Sequence, residues 1–370
     1  MTALMIVAGL VLLVAGGEVL VRGAGNVAAA LGMSPLVVGL TVVSFATSAP
    51  EFAVTMQSVM AGSPGLAVGN VVGSNIANIL LVLGVAAIIT PLTVKSRVVR
   101  FDVPVMIAMS LLATVLAMNG VIARWQGGLL VLCLVAYVVW TVRISRHDPE
   151  GEKEKLDPAW VSDELRPEPT AERSGRNLFA SVVMIVVGVA LLVFGATLLV
   201  KGATEVASAF GISDLVIGLT VVAVGTSLPE LATSIIAAIR GERDLAVGNA
   251  VGSNIFNLGA VLGIAAVLTP GGIVIPGGAQ NLDFLLMTGV ALLLLPVVYT
   301  GYAVGRWEGI LFVVFYAAYT VYLLLSSSEH DALQPFSTVM VAFVIPLTLL
   351  FLIVLSVSEY RRRHAPVLPD

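Results

Sequence analysis

The hydrophobic pattern of this chain consists of long apolar runs separated by short polar loops. Eleven runs approach the roughly 20 residues that a helix needs to cross a bilayer. The first extends from Leu4 to Val21, and no basic residues precede it, so we expect a spanning helix and not a cleaved leader. The other ten lie near residues 35–60, 66–90, 103–119, 125–145, 178–200, 213–239, 245–269, 283–300, 307–325 and 336–358. This pattern predicts an all-α integral membrane protein.

Composition supports this prediction. Hydrophobic residues make up 58% of the 370 residues and charged residues only 11%, whereas roughly a quarter of the residues of a soluble domain are charged. The excess apolar surface must therefore face a lipid bilayer. A single cysteine, Cys133, rules out a disulfide framework, and the three histidines lie in polar segments, which argues against a histidine-ligated zinc. We expect no cofactor and no nucleic-acid partner.

One long hydrophilic segment, residues 146–176, is rich in charge and proline and is predicted to be a cytoplasmic linker. It separates a first repeat, residues 1–145, from a second, residues 177–326. An additional membrane helix at 335–358 and a cytoplasmic tail at 359–370 follow. If the N-terminus lies outside, 17 of the 19 Lys and Arg residues fall inside. This predicts a multi-pass protein of the cell's inner (plasma) membrane with its N-terminus outside and its C-terminus in the cytoplasm.

The two halves are copies of one sequence. Residues 39–84 align with residues 218–263 without a gap, at a constant offset of 179, and 25 of the 46 positions are identical. Because each half contains an odd number of helices, five, the second copy is expected to be inserted upside down. Inverted repeats with interrupted helices are typical of secondary transporters, whose substrates bind near the bilayer midplane.

Each copy carries a Thr-Ser-X-Pro-Glu motif inside an apolar run. Pro50 and Pro229 cannot donate backbone hydrogen bonds, so the motif predicts a broken helix. The carbonyl groups expected to be free are those around Ala46 and Gly225, together with Ser44 and Ala223. Glutamates at this depth, Glu51 and Glu230, are costly and usually mark an ion or proton pathway. The hydroxyls of each motif lie beside its glutamate; they belong to Thr47, Ser48, Thr226 and Ser227.

A second motif, Gly-Asn-X-X-Gly-Ser-Asn-Ile-X-Asn, follows in both copies. Its serine and last asparagine are four residues apart, so both face one side of a helix; they are Ser74 with Asn78 and Ser253 with Asn257. Asn75 and Asn254 lie off that face and are expected to bridge helices. A proline kink or a small polar packing residue is ordinary in a membrane helix. The paired occurrence of the whole set instead favours a site of hard oxygen ligands, as Ca²⁺ and Na⁺ prefer.

In these motifs the chain resembles the cation/calcium exchanger superfamily, in particular prokaryotic Na⁺/Ca²⁺ exchangers. The resemblance rests on GLTVVSFATSAPE with GNVVGSNIAN and on GLTVVAVGTSLPE with GNAVGSNIFN. It implies a ten-helix inverted-repeat (5+5) exchanger fold, to which the C-terminal helix is an addition. Helices two, three, seven and eight would surround the site, and the long first and sixth helices would slide. The implied cation ligands are Glu51, Glu230, Thr47, Ser48, Thr226, Ser227, Ser74, Ser253, Asn78 and Asn257, with the carbonyls of Ser44 and Ala223.

The resemblance implies a secondary active antiporter that exchanges Na⁺ for Ca²⁺ by alternating access, and not an enzyme. Asn78 and Asn257 take the place where some relatives carry Asp, and this points away from the potassium-dependent branch, which tends to use Asp there. The residues themselves leave H⁺/Ca²⁺ exchange through the same glutamates open, and more remotely a passive cation channel. A hydrolase using Ser48 or Ser227 is disfavoured because neither motif contains an activating His or Lys.

Overall fold

The computed structural model describes residues 2–145, 171–210, 223–275, 282–327, 330 and 332–348. The helices of the first half are α1 (Thr2–Leu31), α2 (Pro35–Val38), α3 (Ser44–Thr47), α4 (Ala49–Met60), α5 (Pro64–Ala77), α6 (Gly84–Ile89), α7 (Val103–Ala117) and α8 (Arg124–Ser145). Those that follow are α9 (Ala171–Ala209), α10 (Ala223–Thr226), α11 (Leu228–Ile239), α12 (Arg243–Phe256), α13 (Gly263–Leu268), α14 (Phe284–Tyr299), α15 (Arg306–Ser327) and α16 (Leu333–Val339).

Short π-helical stretches join several of these helices. They span Gly39–Val43, Asn78–Leu83, Val98–Asp102, Asn257–Leu262 and Met340–Val344. The only strands among the described residues are four two-residue segments, β1 (Leu92–Thr93), β2 (Val121–Ile122), β3 (Ile273–Val274) and β4 (Ala303–Val304). The predicted all-α class is therefore confirmed.

Within the described residues, eight helices are long and apolar enough to cross a membrane: Thr2–Leu31, Pro35–Met60, Pro64–Ile89, Val98–Ala117, Arg124–Ile144, Leu178–Ala209, Arg243–Leu268 and Arg306–Ser326. Three of the eleven predicted segments correspond to shorter apolar helices, Leu228–Ile239, Phe284–Tyr299 and Leu333–Thr348. α9 begins at Ala171, inside the predicted linker, because the alanine, glutamate and arginine residues there favour a helix. Most of the linker and the tail lie outside the described residues.

The strand pairs show that the two halves are inverted. β1 pairs with β4, and β2 pairs with β3, both antiparallel. One spanning segment, Val98–Ala117, separates β1 from β2, so these two strands lie at opposite ends of the helix bundle. β3 is the copy of β1 in the second half, yet it lies with β2. Equivalent parts of the two halves therefore lie at opposite ends.

The long helices α1 and α9 pack against each other in antiparallel orientation. Gly16 lies against Leu192, and Gly188 lies against Leu20. A Cβ at Gly16 would be 2.8 Å from the Leu192 nitrogen, and one at Gly188 would be 2.7 Å from the Leu20 nitrogen. Because any larger residue would press on backbone, these glycines allow the two helices to approach closely.

The centre of the bundle is formed by the third spanning helix and its copy. Within an apolar stretch of 18 residues in each spanning helix, the buried share is 72% in Pro64–Ile89 and 78% in Arg243–Leu268. The same share is only 28% in Arg124–Ile144 and 11% in Arg306–Ser326. The second motif, with its serines and asparagines, lies on these two central helices. Its polar side chains are therefore held in the most enclosed part of the protein.

Candidate cation site

The helices that carry the Thr-Ser-X-Pro-Glu motifs are broken within the motif. α3 ends at Thr47 and α4 begins at Ala49, with Ser48 between them at φ −77° and ψ 2°. Ser227 separates α10 from α11 at φ −89° and ψ 5°. In each half the proline is the second residue of the new helix and the glutamate lies in its first turn. The partial positive charge of the helix N-terminus favours a carboxylate there.

The prediction of a free Ser44 carbonyl is wrong in one respect. The Ser48 N–H donates to the Ser44 carbonyl oxygen at 3.0 Å, because the i to i−4 helical hydrogen bonding of α3 extends to Ser48. A carbonyl oxygen has two lone pairs, so one remains for another partner. In the second half the Ser227 N–H donates to Val224, at 3.1 Å, and not to Ala223.

Glu51 and Glu230 both lie in the interior of the helix bundle. Both side chains are fully buried, and they lie close enough for their charges to repel each other. Among the described residues, none of their four carboxylate oxygens has a hydrogen-bond partner. A buried charge that lacks a partner costs several kcal/mol. The arrangement therefore calls for positive charge between the two carboxylates.

Neutral oxygens from both halves surround the carboxylates. The Ser74 side chain lies beside Glu51, and the Thr47 side chain lies beside Glu230. The Thr47 hydroxyl also donates to Asn249 Oδ1 at 3.1 Å and lies 3.4 Å from the hydroxyl of Ser253. The first half thus contributes Thr47 to the surroundings of the second half's glutamate.

The remaining predicted ligands are also close to the helix breaks. α4 packs against the π-helical stretch that begins at Asn257, and α11 packs against the stretch that begins at Asn78. Thr226 is half-buried at the end of α10, and Ala223 lies at its start. Several buried ligand atoms lack a hydrogen-bond partner among the described residues: the hydroxyls of Ser48, Ser74 and Ser227, Asn78 Oδ1, and both amide atoms of Asn257.

Comparison with known proteins agrees with this geometry. The sequence profile of the family described as "Sodium/calcium exchanger protein" matches residues 1–143 and 180–325. The chain belongs to the sodium/calcium exchanger family.

Individual relatives cover most of this exchanger. Sodium/calcium exchanger MaX1 of Methanosarcina acetivorans is 34% identical over 345 residues, which cover 86% of this chain and 97% of MaX1. Inner membrane protein YrbG of Escherichia coli is 38% identical over 272 residues, 73% of this chain and 80% of YrbG. A solved structure of the sodium-calcium exchanger NCX_Mj, soaked with 10 mM Na⁺ and zero Ca²⁺, matches with a TM-score of 0.71 and 30% identity, covering 85% of this chain and 96% of that one.

Family membership makes this exchanger a multi-pass membrane transporter and not an enzyme. Within the part of the chain that the structure describes, no group of three or more His, Cys, Asp or Glu side chains could hold a metal ion.

Two residues of the exchanger's site were missed by sequence reasoning. Asn70 Nδ2 donates to the Glu51 carbonyl at 3.0 Å and to Thr55 Oγ1 at 2.9 Å. In the second half, Asn249 Nδ2 donates to the Glu230 carbonyl at 3.4 Å and to Ser234 Oγ at 3.0 Å. Each asparagine thus fixes the backbone of its own half's glutamate. The available signal was the equal spacing, 19 residues from glutamate to asparagine in both copies.

The expectation that Asn75 and Asn254 bridge helices is half right. Asn254, on α12, accepts a hydrogen bond of 3.1 Å from Asn78 Nδ2 and donates one of 3.5 Å to Met106 Sδ on α7. Asn254 therefore joins three helices of the exchanger. Asn75 instead donates to the carbonyl of Val71 in its own helix at 2.8 Å.

Proposed function

We propose that this chain is a secondary active antiporter that exchanges Na⁺ for Ca²⁺ across the membrane. The observation that carries the proposal is the pair of fully buried carboxylates of Glu51 and Glu230, whose oxygens lack hydrogen-bond partners among the described residues. Such a pair is stable only with compensating positive charge. One Ca²⁺ or several Na⁺ would supply it.

The surrounding groups suit both ions. The proposed ligands are the two glutamates, the hydroxyls of Thr47, Ser48, Thr226, Ser227, Ser74 and Ser253, the amide oxygens of Asn78 and Asn257, and the carbonyls of Ser44 and Ala223. All are hard oxygen donors, and Ca²⁺ takes six to eight of these in flexible geometry. Nitrogen or sulfur ligands, which would favour zinc or copper, are missing from the proposed set.

The choice of ions also draws on the relatives. MaX1 is named a sodium/calcium exchanger, and the NCX_Mj structures were soaked with Na⁺, Ca²⁺ or Sr²⁺. The family match spans both halves of this chain, so both copies of the motif lie within it. We therefore assign Na⁺ and Ca²⁺ as the exchanged ions.

Alternating access would follow from the same charges. Two carboxylates without a cation resist closure of the site, because closure would leave their repulsion uncompensated in a medium of low dielectric constant. A bound cation removes that barrier, so the protein changes state only when loaded. We infer that the antiparallel pair α1 and α9 moves against the four helices of the site. The proposed orientation places the N-terminus outside and the C-terminus in the cytoplasm.

Transport into proteoliposomes tests the proposal. Vesicles loaded with Na⁺ and diluted into Na⁺-free buffer containing ⁴⁵Ca²⁺ should accumulate calcium, and vesicles loaded with choline should not. Uptake that ignores the Na⁺ gradient would contradict Na⁺ coupling. Uptake driven by a pH gradient without Na⁺ would identify H⁺ as the driving ion, and conductance without any counter-ion would identify a channel.

A further inference from the structure

We propose that Asn254 is a positioning residue that fixes the orientation of the Asn78 amide and thereby presents Asn78 Oδ1 to the transported cation. This inference rests on the proposed cation site and extends it to a residue outside the ligand set. It also means that the amides of the two proposed asparagine ligands, Asn78 and Asn257, are held differently, although these residues occupy equivalent positions in the two copies.

The hydrogen bond between Asn78 and Asn254 determines which way the Asn78 amide faces. Asn78 is fully buried, and its Nδ2 donates to Asn254 Oδ1 at 3.1 Å. An amide presents its nitrogen and its oxygen on opposite edges, so the oxygen must point away from Asn254. Asn78 Oδ1 has no hydrogen-bond partner among the described residues. It is therefore an oriented and available oxygen ligand.

Asn254 is itself held in place. Its Nδ2 donates to Met106 Sδ at 3.5 Å, and the side chain is only 2% exposed. A thioether sulfur accepts hydrogen bonds weakly but cannot donate one, so this contact favours the amide nitrogen of Asn254 on the side of Met106. Asn254 Oδ1 is then directed at Asn78. The chain from Met106 through Asn254 to Asn78 fixes both amides in sequence.

The other half has the same residue types but does not form this chain. At the 179-residue offset of the repeat, Asn257 and Asn75 are the copies of Asn78 and Asn254. Asn75 Nδ2 donates instead to the Val71 carbonyl at 2.8 Å, and neither amide atom of Asn257 has a hydrogen-bond partner among the described residues. The Asn257 amide is thus free of the constraint that Asn254 places on Asn78.

Replacing Asn254 should therefore affect cation binding, and replacing Asn75 should not. Partners of metal ligands that lie one contact beyond the ion typically change affinity by 10–100-fold. We expect Asn254→Ala to weaken Ca²⁺ binding to the purified full-length protein about tenfold by calorimetry, with turnover at saturating Ca²⁺ within about twofold. Asn75→Ala, the matched control, should stay within about twofold of the wild type in both measurements.

A double-mutant cycle separates positioning from a general structural role. If Asn254 acts through Asn78, Asn254→Ala should cause no further loss of Ca²⁺ affinity in an Asn78→Ala background. Additive losses, equal effects of Asn254→Ala and Asn75→Ala, or an unchanged affinity in Asn254→Ala would each overturn the inference. Should Asn254→Ala fail to fold, Met106→Leu removes the sulfur acceptor at similar volume, and a weaker Ca²⁺ affinity is expected again.

The same calorimetry distinguishes failure of this inference from failure of the proposed function. A wild type that binds no Ca²⁺ would overturn the proposed function, and with it the cation that Asn254 is said to serve. If the wild type binds Ca²⁺ and the Asn254→Ala and Asn75→Ala variants bind it with the same affinity as each other, only the positioning role is overturned.

Discussion

Helices α4 and α11 are copies of one sequence and carry the two glutamates, yet their surroundings differ. Five of the twelve residues of Ala49–Met60 are exposed, whereas only one of the twelve residues of Leu228–Ile239 is exposed. The inner ends, at Glu51 and Glu230, are equally buried. The difference therefore concerns the outer face of each helix and not the site.

The cause of the difference is helix α1. It packs along α11, with Gly17 against Ile236 and Glu18 bonded to Arg240. A Cβ at Gly17 would lie 2.6 Å from Cδ1 at the end of the Ile236 side chain and 3.5 Å from the Ala232 carbonyl oxygen, so the two helices are in direct contact there. The equivalent face of α4 is left exposed. Equivalent sequences thus share one local structure, while the pair α1 and α9 covers only one of the two copies.

The largest expected effect concerns the buried glutamate that each half contributes to the proposed site. Glu51→Gln and Glu230→Gln should each abolish Na⁺-driven ⁴⁵Ca²⁺ uptake. Losing one unit charge about 4 Å from a cation removes about 4 kcal/mol of electrostatic attraction at an effective dielectric constant of 20. This corresponds to roughly a thousandfold loss of cation affinity. Glu205→Gln, on α9 and bonded to Thr2, is the control and should transport normally. Activity in either site variant would contradict the shared two-carboxylate site.

The sequence predicted much of this shared part. The 179-residue repeat, the helix break at each proline and the pair Glu51 and Glu230 all follow from patterns that occur twice. Two local features did not follow. The π-helical stretches that begin at Asn78 and Asn257 depend on how the central helices pack. The bond from Ser48 to the Ser44 carbonyl depends on how far the helical hydrogen bonding of α3 extends before the break.

The contrast between α4 and α11 could not be predicted from sequence at all. A duplicated sequence specifies the same helices and the same contacts in both halves. The choice of which copy α1 covers depends on a balance of long-range contacts across the bundle, and short motifs carry no information about it. The same holds for Asn75 and Asn254, which are identical in their motifs but make different hydrogen bonds.

A second, smaller effect should distinguish the two asparagines that hold the glutamate backbones. Asn249→Ala should impair Ca²⁺ affinity more than Asn70→Ala. Asn249 is fully buried and also accepts the hydrogen bond of Thr47 from the other half, while Asn70 is half-buried. An unsatisfied buried group costs about 1–3 kcal/mol, so we expect a loss of roughly tenfold or more for Asn249→Ala. Calorimetric Ca²⁺ titration measures it, and equal losses would argue against this difference between halves.

Cysteine labelling tests the covering of α11 directly. Gln57 and Ile236 occupy equivalent positions of α4 and α11, and Gln57 is exposed while Ile236 lies under α1. In a Cys133→Ser background in detergent, Gln57→Cys should react with a maleimide roughly tenfold faster than Ile236→Cys, because α1 covers part of the half-buried position 236 while position 57 is exposed. Equal rates would mean that α1 does not cover α11 in solution.

The smallest expected effect concerns the ion pair that attaches α1 to α11. The Glu18 carboxylate accepts a 3.0 Å hydrogen bond from Arg240 Nε, beyond the end of α11, and one of 2.7 Å from Arg22 in its own helix. Partly exposed ion pairs contribute at most about 1 kcal/mol, so Arg240→Gln should raise the labelling rate of Ile236→Cys about threefold. Arg22→Gln is the matched control, since Arg22 contacts the same carboxylate without joining the two helices. If both variants accelerate labelling equally, the ion pair stabilises α1 alone, and the contact of Gly17 with Ile236 is what keeps α11 covered.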